Sequence, residues 1–378
     1  MTNSLFEHFR QRQDAIAAEI AELVSIESPS NDVAASGKIV DLLTTKFRAA
    51  AGPASIERIK AEDVGEHLIV RVGDAENPAE RTLILGHTDT VHPTGTLSQN
   101  PIRTENGRLY GPGTFDMKAN IPIVLEAFRY LCEENITRQI TVLLSCDEET
   151  GSATGRELVE REAARSSRCF VLEPSDSGRV KTGRKGTGVF HLEAHGLPAH
   201  AGLEPERGAN AVAELARCVS AIHALADRDA GTTVNVTTFS GGTATNVIPA
   251  FAVCDIDVRF SRMAEGERVG AELAKMRPSD ERVKFVLKGQ INRPPLEETA
   301  AVLSLYEHAK ATAASIGFEL GRTRVGGASD GNFVAALGIP VLDGLGISGD
   351  GAHTLEEYVE IDDIPRRAAL LTALLIGE

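Results

Sequence analysis

The sequence predicts an α/β fold in which a mostly parallel sheet is flanked by helices and a smaller domain is inserted partway along the chain. At 378 residues the chain exceeds one ordinary hydrophobic core, so two domains are expected. Toward both ends, short apolar runs suited to buried strands alternate with helical periodicity, the pattern of a sheet covered on both faces. Between Lys185 and about Pro295 the order becomes strand, helix, strand, strand, helix, strand, which is the split βαβ unit of ferredoxin-like folds. The expected domains are therefore 1–184 and 296–378, two parts of one unit, with 185–295 inserted between them.

Each element has its own signal. Phe6, Phe9, Ile16, Ile20 and Leu23 fall at helical spacing over 3–24, and Ser28-Pro29-Ser30-Asn31 interrupts the chain before a second helix near 34–50. Residues 67–72 and 82–85 are strand-like, and a polar, Pro/Gly-rich loop follows over 92–113. An amphipathic helix is predicted over about 118–134, which puts Asp116 near its N-terminus, where a capping aspartate is the ordinary interpretation. The strand at 140–146 runs into Asp147-Glu148-Glu149-Thr150-Gly151, and the strand at 169–172 runs into Glu173-Pro174. Residues 339–345 form a last strand before a Gly-rich loop holding His353, and a closing helix covers about 362–376. Inside the insertion the expected elements are strand 188–196, helix 209–227, strand 232–240, strand 251–260, helix 265–277 and strand 283–289. No repeat or low-complexity tract is apparent.

Composition excludes several function classes. With 42% hydrophobic and 25% charged residues the chain reads as a soluble globular protein. No apolar run approaches the ~20 residues of a membrane-spanning helix, and the first residues lack a basic segment followed by an apolar one, so a cytoplasmic location is expected. Five cysteines form no CxxC pair, which argues against a thiolate zinc site or a disulfide framework and makes them small core residues. A net charge of −15 makes nucleic acid or an anionic membrane an unsuitable partner, since both require a basic footprint. Part of that negative excess is carboxylate available to cations.

The chemistry starts at Leu83-Ile84-Leu85-Gly86-His87-Thr88-Asp89, where an apolar run ends in a histidine and an aspartate two residues apart. Side chains at i and i+2 of an extended segment share a face, so His87 can offer one ring nitrogen to a metal while Asp89 holds the other. In open α/β sheets ligands bind beyond the carboxyl ends of the strands. His87, Glu148 with Glu149, Glu173 and His353 each follow a separate predicted strand, and Asp116 opens a helix on the same edge. Five loops delivering His, Asp or Glu to one rim point to a two-histidine, three-carboxylate metal site rather than to five unrelated solvated loops.

Five ordered motifs, Gly86-His87-Thr88-Asp89-Thr90-Val91, Gly111-Pro112-Gly113-Thr114-Phe115-Asp116-Met117-Lys118, Asp147-Glu148-Glu149-Thr150-Gly151-Ser152, Leu172-Glu173-Pro174 and His200-Ala201-Gly202, resemble the M20 family of zinc-dependent exopeptidases and deacylases. The resemblance spans nearly the whole chain. It is nearest the glutamate carboxypeptidase (carboxypeptidase G2-like) branch, through Leu203-Glu204-Pro205-Glu206-Arg207-Gly208-Ala209-Asn210-Ala211 and Thr245-Asn246-Val247-Ile248-Pro249-Ala250.

This resemblance implies a zinc exopeptidase-like catalytic domain with an inserted dimerisation domain, and two Zn²⁺ per subunit with Co²⁺ or Mn²⁺ as substitutes. His87 and Glu173 would hold one ion, Glu149 and His353 the other, and Asp116 would bridge them. Three ligand carboxylates and a hydroxide balance the charge of two such ions. Glu148 would be the general base, and Asp89 would support His87 from behind. Asn246 and Arg259 match positions with which relatives grip the substrate's terminal carboxylate, a task suited to an arginine fork, and Arg324 is a candidate for a side-chain contact. In a homodimer, His200 would reach the partner's site and donate to the anionic intermediate. The peptide after the bridging aspartate is cis in relatives, so a cis Asp116–Met117 bond is expected.

Two departures stand out. Ala119-Asn120 occupies a place where many relatives have Gly-Gly, which puts local helix packing in question. Glu173 stands where some branches carry Asp, which counts against tripeptidase- and dipeptidase-like members. His8, His92, His191, His195, His223 and His308 are taken as ordinary histidines, with His92 close enough in sequence to His87 to line the pocket. The function implied is a dizinc, carboxypeptidase-type amidohydrolase that releases a C-terminal amino acid, glutamate being the candidate, from a small N-acyl amino acid or short peptide. The alternative is an N-acyl-amino-acid deacylase of the acetylornithine deacetylase or succinyl-diaminopimelate desuccinylase type. A non-catalytic binding protein of the same fold would be expected to have lost Glu148 or a ligand, and none is missing.

Overall fold

The computed structural model describes residues 2–73 and 81–377. The chain divides into two compact units, one made of Met1–Gly183, Glu298–Arg324 and Ser329–Glu378, the other of Arg184–Glu297 and Val325–Ala328. Among the described residues no helix is long and apolar enough to cross a membrane.

The first unit is built on a six-stranded sheet in the order Ala54–Ala61, Gly65–Val72, Ile140–Ser145, Thr82–His87, Arg168–Val171 and Val341–Leu342. The last four run parallel to one another, and the first two are antiparallel additions at one edge. Leu83, Ile84 and Leu85 are all buried although they alternate in direction, so both faces of this central strand are covered. Ile84, Val142, Leu144 and Phe170 share one core with the helices Thr2–Val24, Val33–Ala50, Ile121–Glu133, Ala300–Ser315 and Ile364–Ile376. The opposite face meets Arg156–Ala163 and Gly331–Ala336.

Register is what positions the site. His87 pairs with Ser145 and Leu85 with Val171, so three parallel strands end level with one another and the residues just beyond them emerge on one edge. The helix expected from 118 begins instead as a 3-10 turn, Lys118–Asn120, with the α-helix proper at Ile121–Glu133 and Pro122 in its first turn, where a missing N–H costs nothing. The strand expected over 339–345 is shorter than predicted, only Val341–Leu342, because the chain turns away at once into Asp343-Gly344.

The second unit is a four-stranded antiparallel sheet ordered Thr233–Gly241, Phe251–Phe260, Gly186–His195, Lys284–Arg293. Helices Ala211–His223 and Met263–Ala274 bury Leu215, Ile222, Val269 and Leu273 against Phe190, Leu192, Ala194, Ile256 and Phe260. Outward residues alternate with these, Val189, His191 and His195 being exposed. This strand order is that of the split βαβ unit.

Candidate metal centre

Five side chains from five separate segments of the first unit converge at the sheet's carboxyl edge. His87 is the last residue of its strand, Glu149 lies in the 3-10 turn Glu148–Thr150 just past Ile140–Ser145, and Glu173 follows Arg168–Val171 by two residues. Asp116 comes from the loop before the Lys118–Asn120 turn, and His353 from the loop after Gly349–Asp350, with a left-handed backbone at φ 64°. His87 Nε2 lies 3.1 Å from Asp116 Oδ1 and 3.5 Å from Glu173 Oε1. His353 Nε2 lies 3.4 Å from Asp116 Oδ2 and 3.2 Å from Glu149 Oε2. Asp116 therefore turns one oxygen to each histidine. The Asp116–Met117 peptide is cis, as the resemblance implied.

This donor set fits a pair of divalent ions. Two imidazoles and three carboxylates supply nitrogen and oxygen ligands of the kind zinc, manganese and cobalt accept. Glu149 Oε1 is buried and has no hydrogen-bond partner among the described residues, although a buried carboxylate oxygen requires one. The titration behaviour shows the same demand for positive charge. Burial alone would lower the pKa of His87, yet bonding to Asp116, Asp89 and Glu173 lifts it well above the usual histidine value. His353 is pushed up to about 9, chiefly by its bond to Asp116. Burial would raise Asp116, but His353 and His87 hold it far below the ordinary carboxylate range. Glu149 is pushed up to about 7 by burial, and the neighbouring Asp116 charge adds to this. One carboxylate oxygen of Glu148 lies within 4.8 Å of donor atoms of His87 and Glu173, so Glu148 flanks the cluster.

Asp89 meets the other ring nitrogen of His87 through both its main chain and its carboxylate. His87 Nδ1 lies 2.9 Å from the backbone carbonyl of Asp89, and the carboxylate is farther away at 3.4 Å. The carboxylate also reaches the next strand's loop, where it accepts the backbone N–H groups of Glu148 and Glu149 at 3.2 and 3.1 Å, and it accepts the Ser30 hydroxyl at 2.7 Å. Asp89 thus supports His87 through its main chain and its carboxylate, and the same carboxylate fixes the Glu148-Glu149 turn.

Three supporting residues had no assigned role in the sequence. Glu357, fully buried, accepts four hydrogen bonds from the segment around Asp116 and from His92. Only an acidic doublet, Glu356-Glu357, four residues past His353 marked it, and such a doublet is commonplace. Lys118 is buried and donates to the Ile26 carbonyl at 2.7 Å, and burial pushes its pKa down to about 8. Asn120, at the departure from Gly-Gly, accepts the Ile347 N–H through Oδ1 at 2.8 Å.

In the second unit, His200 Nδ1 accepts the backbone N–H groups of Gly202 and Leu203, both at 3.2 Å, so its Nε2 carries the proton and is a donor. The Asn246 carbonyl accepts the N–H of Ala201, which joins the His200 and Asn246 loops. Arg259 turns Nε and Nη2 to Asp257 on its own strand, at 2.9 and 2.8 Å. Arg324, in the first unit, has Nε 3.8 Å from Glu298 and a side chain that is 60% exposed.

Comparison with known proteins shows the family and the fold. The model of Peptidase family M20/M25/M40 matches residues 83–377. Carboxypeptidase G2 of Pseudomonas sp. (strain RS-16) is 28% identical over 386 residues, covering 99% of this chain and 92% of that protein. Succinyl-diaminopimelate desuccinylase of Methylorubrum populi is 31% identical over 350 residues, covering 85% of this chain and 88% of that one. The crystal structure of aminopeptidase PepT from Bacillus cereus has the same fold, with a TM-score of 0.81 at 24% identity, covering 96% of this chain and 98% of the other.

Proposed function

Starting from the fact that the chain belongs to peptidase family M20/M25/M40 and is a hydrolytic enzyme, we propose that it is a dimetal amidohydrolase of carboxypeptidase type. It releases a C-terminal amino acid, glutamate foremost, from an N-acyl or peptidyl substrate in the cytoplasm. The observation that carries this is the Asp116 carboxylate set between His87 and His353, with Glu173 and Glu149 on the outer sides. His87, Asp116 and Glu173 would hold one ion, and Glu149, Asp116 and His353 the other. Two such ions, zinc first with cobalt or manganese as alternatives, supply Lewis-acid polarisation of the amide carbonyl and acidify a water.

The chain's own residues do the rest. Glu148, its backbone N–H held by Asp89, takes the proton of the attacking water and hands it to the leaving amine. The protein acts as a homodimer in which His200 of one subunit donates Nε2–H to the tetrahedral oxyanion in the other, the tautomer described above being the one this requires. Asn246 and Arg259 grip the terminal carboxylate, with Asp257 orienting the guanidinium.

A second reading, an N-acyl-amino-acid deacylase, is favoured by the succinyl-diaminopimelate desuccinylase relative. The two are separated by assaying metal-loaded enzyme on N-acyl derivatives of glutamate, aspartate, ornithine, diaminopimelate and apolar amino acids. Highest kcat/KM on the glutamate members supports the carboxypeptidase reading, and on acetylornithine or succinyl-diaminopimelate the deacylase one. Hydrolysis of none would contradict both readings.

A further inference from the structure

We propose that Glu357 is a positioning residue that sets metal affinity by holding Asp116 and His353 in one frame. This inference rests on the dimetal reading above. Glu357 comes four residues after His353, yet its carboxylate is fully buried against the loop that carries Asp116. Oε1 accepts the backbone N–H groups of Phe115 and Asp116, both at 2.8 Å, while Oε2 accepts the Gly113 N–H at 2.8 Å and His92 Nε2 at 2.7 Å. Its own backbone carbonyl accepts the Gly111 N–H at 3.3 Å, which adds a main-chain tie between the two segments.

Each oxygen of a carboxylate accepts two bonds comfortably, so four donors saturate this group and satisfy its burial. Three of the four are consecutive or near-consecutive main-chain donors, and the last belongs to Asp116 itself. The loop presents all three in its observed turn. Gly113 sits there at φ 72°, and a Cβ on it would lie 2.4 Å from Thr90 Cγ2. The carboxylate therefore dictates the backbone orientation from which the Asp116 side chain leaves. Asp116 and His353 face each other at 3.4 Å, and Glu357, four residues past His353 on the same segment, ties that segment to the Asp116 loop by hydrogen bonds. Groups that orient metal ligands in this way change metal affinity by about 10–100-fold when they are replaced.

Glu357→Gln keeps the shape and turns one oxygen into an NH₂. Whichever way the amide lies, that NH₂ meets at least one backbone N–H that cannot become an acceptor. The experiment measures Zn²⁺ affinity of metal-stripped wild type and Glu357→Gln by chelator competition, together with the unfolding midpoint of each stripped protein. Glu360→Gln serves as the control, since Glu360 lies nearby and pairs with Arg108 at the surface. The expected result is about 10–100-fold weaker binding in folded Glu357→Gln, with the Zn²⁺ concentration for half-maximal activity shifted by the same factor and the control unchanged. Equal affinity, within twofold, in folded wild type and Glu357→Gln would overturn the inference, even if the variant is less stable. Should Glu357→Gln not fold, His92→Ala removes one of the four donors and is expected to weaken binding in the same direction by a smaller factor, and unchanged affinity there overturns it equally. Wild type that binds no divalent ion would remove the dimetal reading itself, and this inference with it.

Discussion

Glu149 turns one carboxylate oxygen to within 3.2 Å of His353 Nε2 and buries the other without a hydrogen-bond partner among the described residues. A pH dependence follows from this pair. In the metal-free protein His353 holds a proton up to about pH 9 and Glu149 up to about pH 7. Both must lose it to bind an ion, so binding releases protons and affinity rises with pH. Below about pH 7 both protons compete, and between about 7 and 9 only that of His353 does among these two. Zn²⁺ affinity measured by chelator competition should therefore fall by at least about 10-fold from pH 7.5 to 6.5, since each displaced proton contributes up to about a factor of ten per pH unit and His87, lifted well above the usual histidine value, releases one as well. An affinity unchanged across this interval would contradict the assignment of these two ligands.

The adjacent glutamates are expected to separate cleanly. Glu148→Ala should keep its metal and lose ~10²–10⁴-fold in turnover, because it removes only the proton carrier. Glu149→Ala should lose metal. Metal analysis of the two purified variants checks this, and full loading of both would show the division of labour to be wrong.

His200 offers a test across subunits. Neither His200→Ala nor Glu148→Ala alone has a complete site in the proposed dimer, but a mixed dimer has one site with a sound Glu148 and a sound His200 from its partner. Random exchange makes half the molecules mixed, so roughly a quarter of wild-type activity should return. Verified exchange with no recovery would remove His200 from the mechanism.

Asn120 and Gly346 are expected to be coupled. A Cβ on Gly346 would lie 2.3 Å from Asn120 Nδ2 and 2.5 Å from its Cγ, so Gly346→Ala should cost about 1–3 kcal/mol through overpacking. Asn120→Gly strands the Ile347 N–H, at a cost of about 1–3 kcal/mol. Because the smaller residue makes room for the added methyl, the double variant should be more stable than the sum predicts by about 1 kcal/mol or more. Urea unfolding of the three variants measures this, and simple additivity would contradict it.

These contacts also show where the sequence was informative. His87, Glu149 and Glu173 were legible because each ends an apolar run, and parallel strands in register bring such ends to one edge. The insertion was legible because its strands alternate cleanly, with Phe190, Leu192 and Ala194 inward and His191 and His195 outward. Ala54–Ala61 was not, since at the sheet edge it carries Glu57, Arg58 and Lys60 and shows little apolar pattern. The helix Ala300–Ser315 was also missed, its small alanines giving a weak periodic signal. At the site, the spacing of His87 and Asp89 suggested a carboxylate behind the histidine. That carboxylate is there, and it also holds the Glu148-Glu149 turn, a second task set by a loop from another strand that the spacing could not show. Glu357 was illegible for the same reason, because its role depends on the donors that a loop more than two hundred residues earlier presents to it.

Dependence of hydrolysis on two bound ions is measured by titrating metal-stripped protein with Zn²⁺ while following amine release from an N-acyl glutamate. Activity should be absent at the start and rise to its maximum at about two ions per chain, while Glu148→Ala takes up the same number and stays inactive. Full activity without metal, or two ions bound with no amide hydrolysed, would rule out a dimetal amidohydrolase.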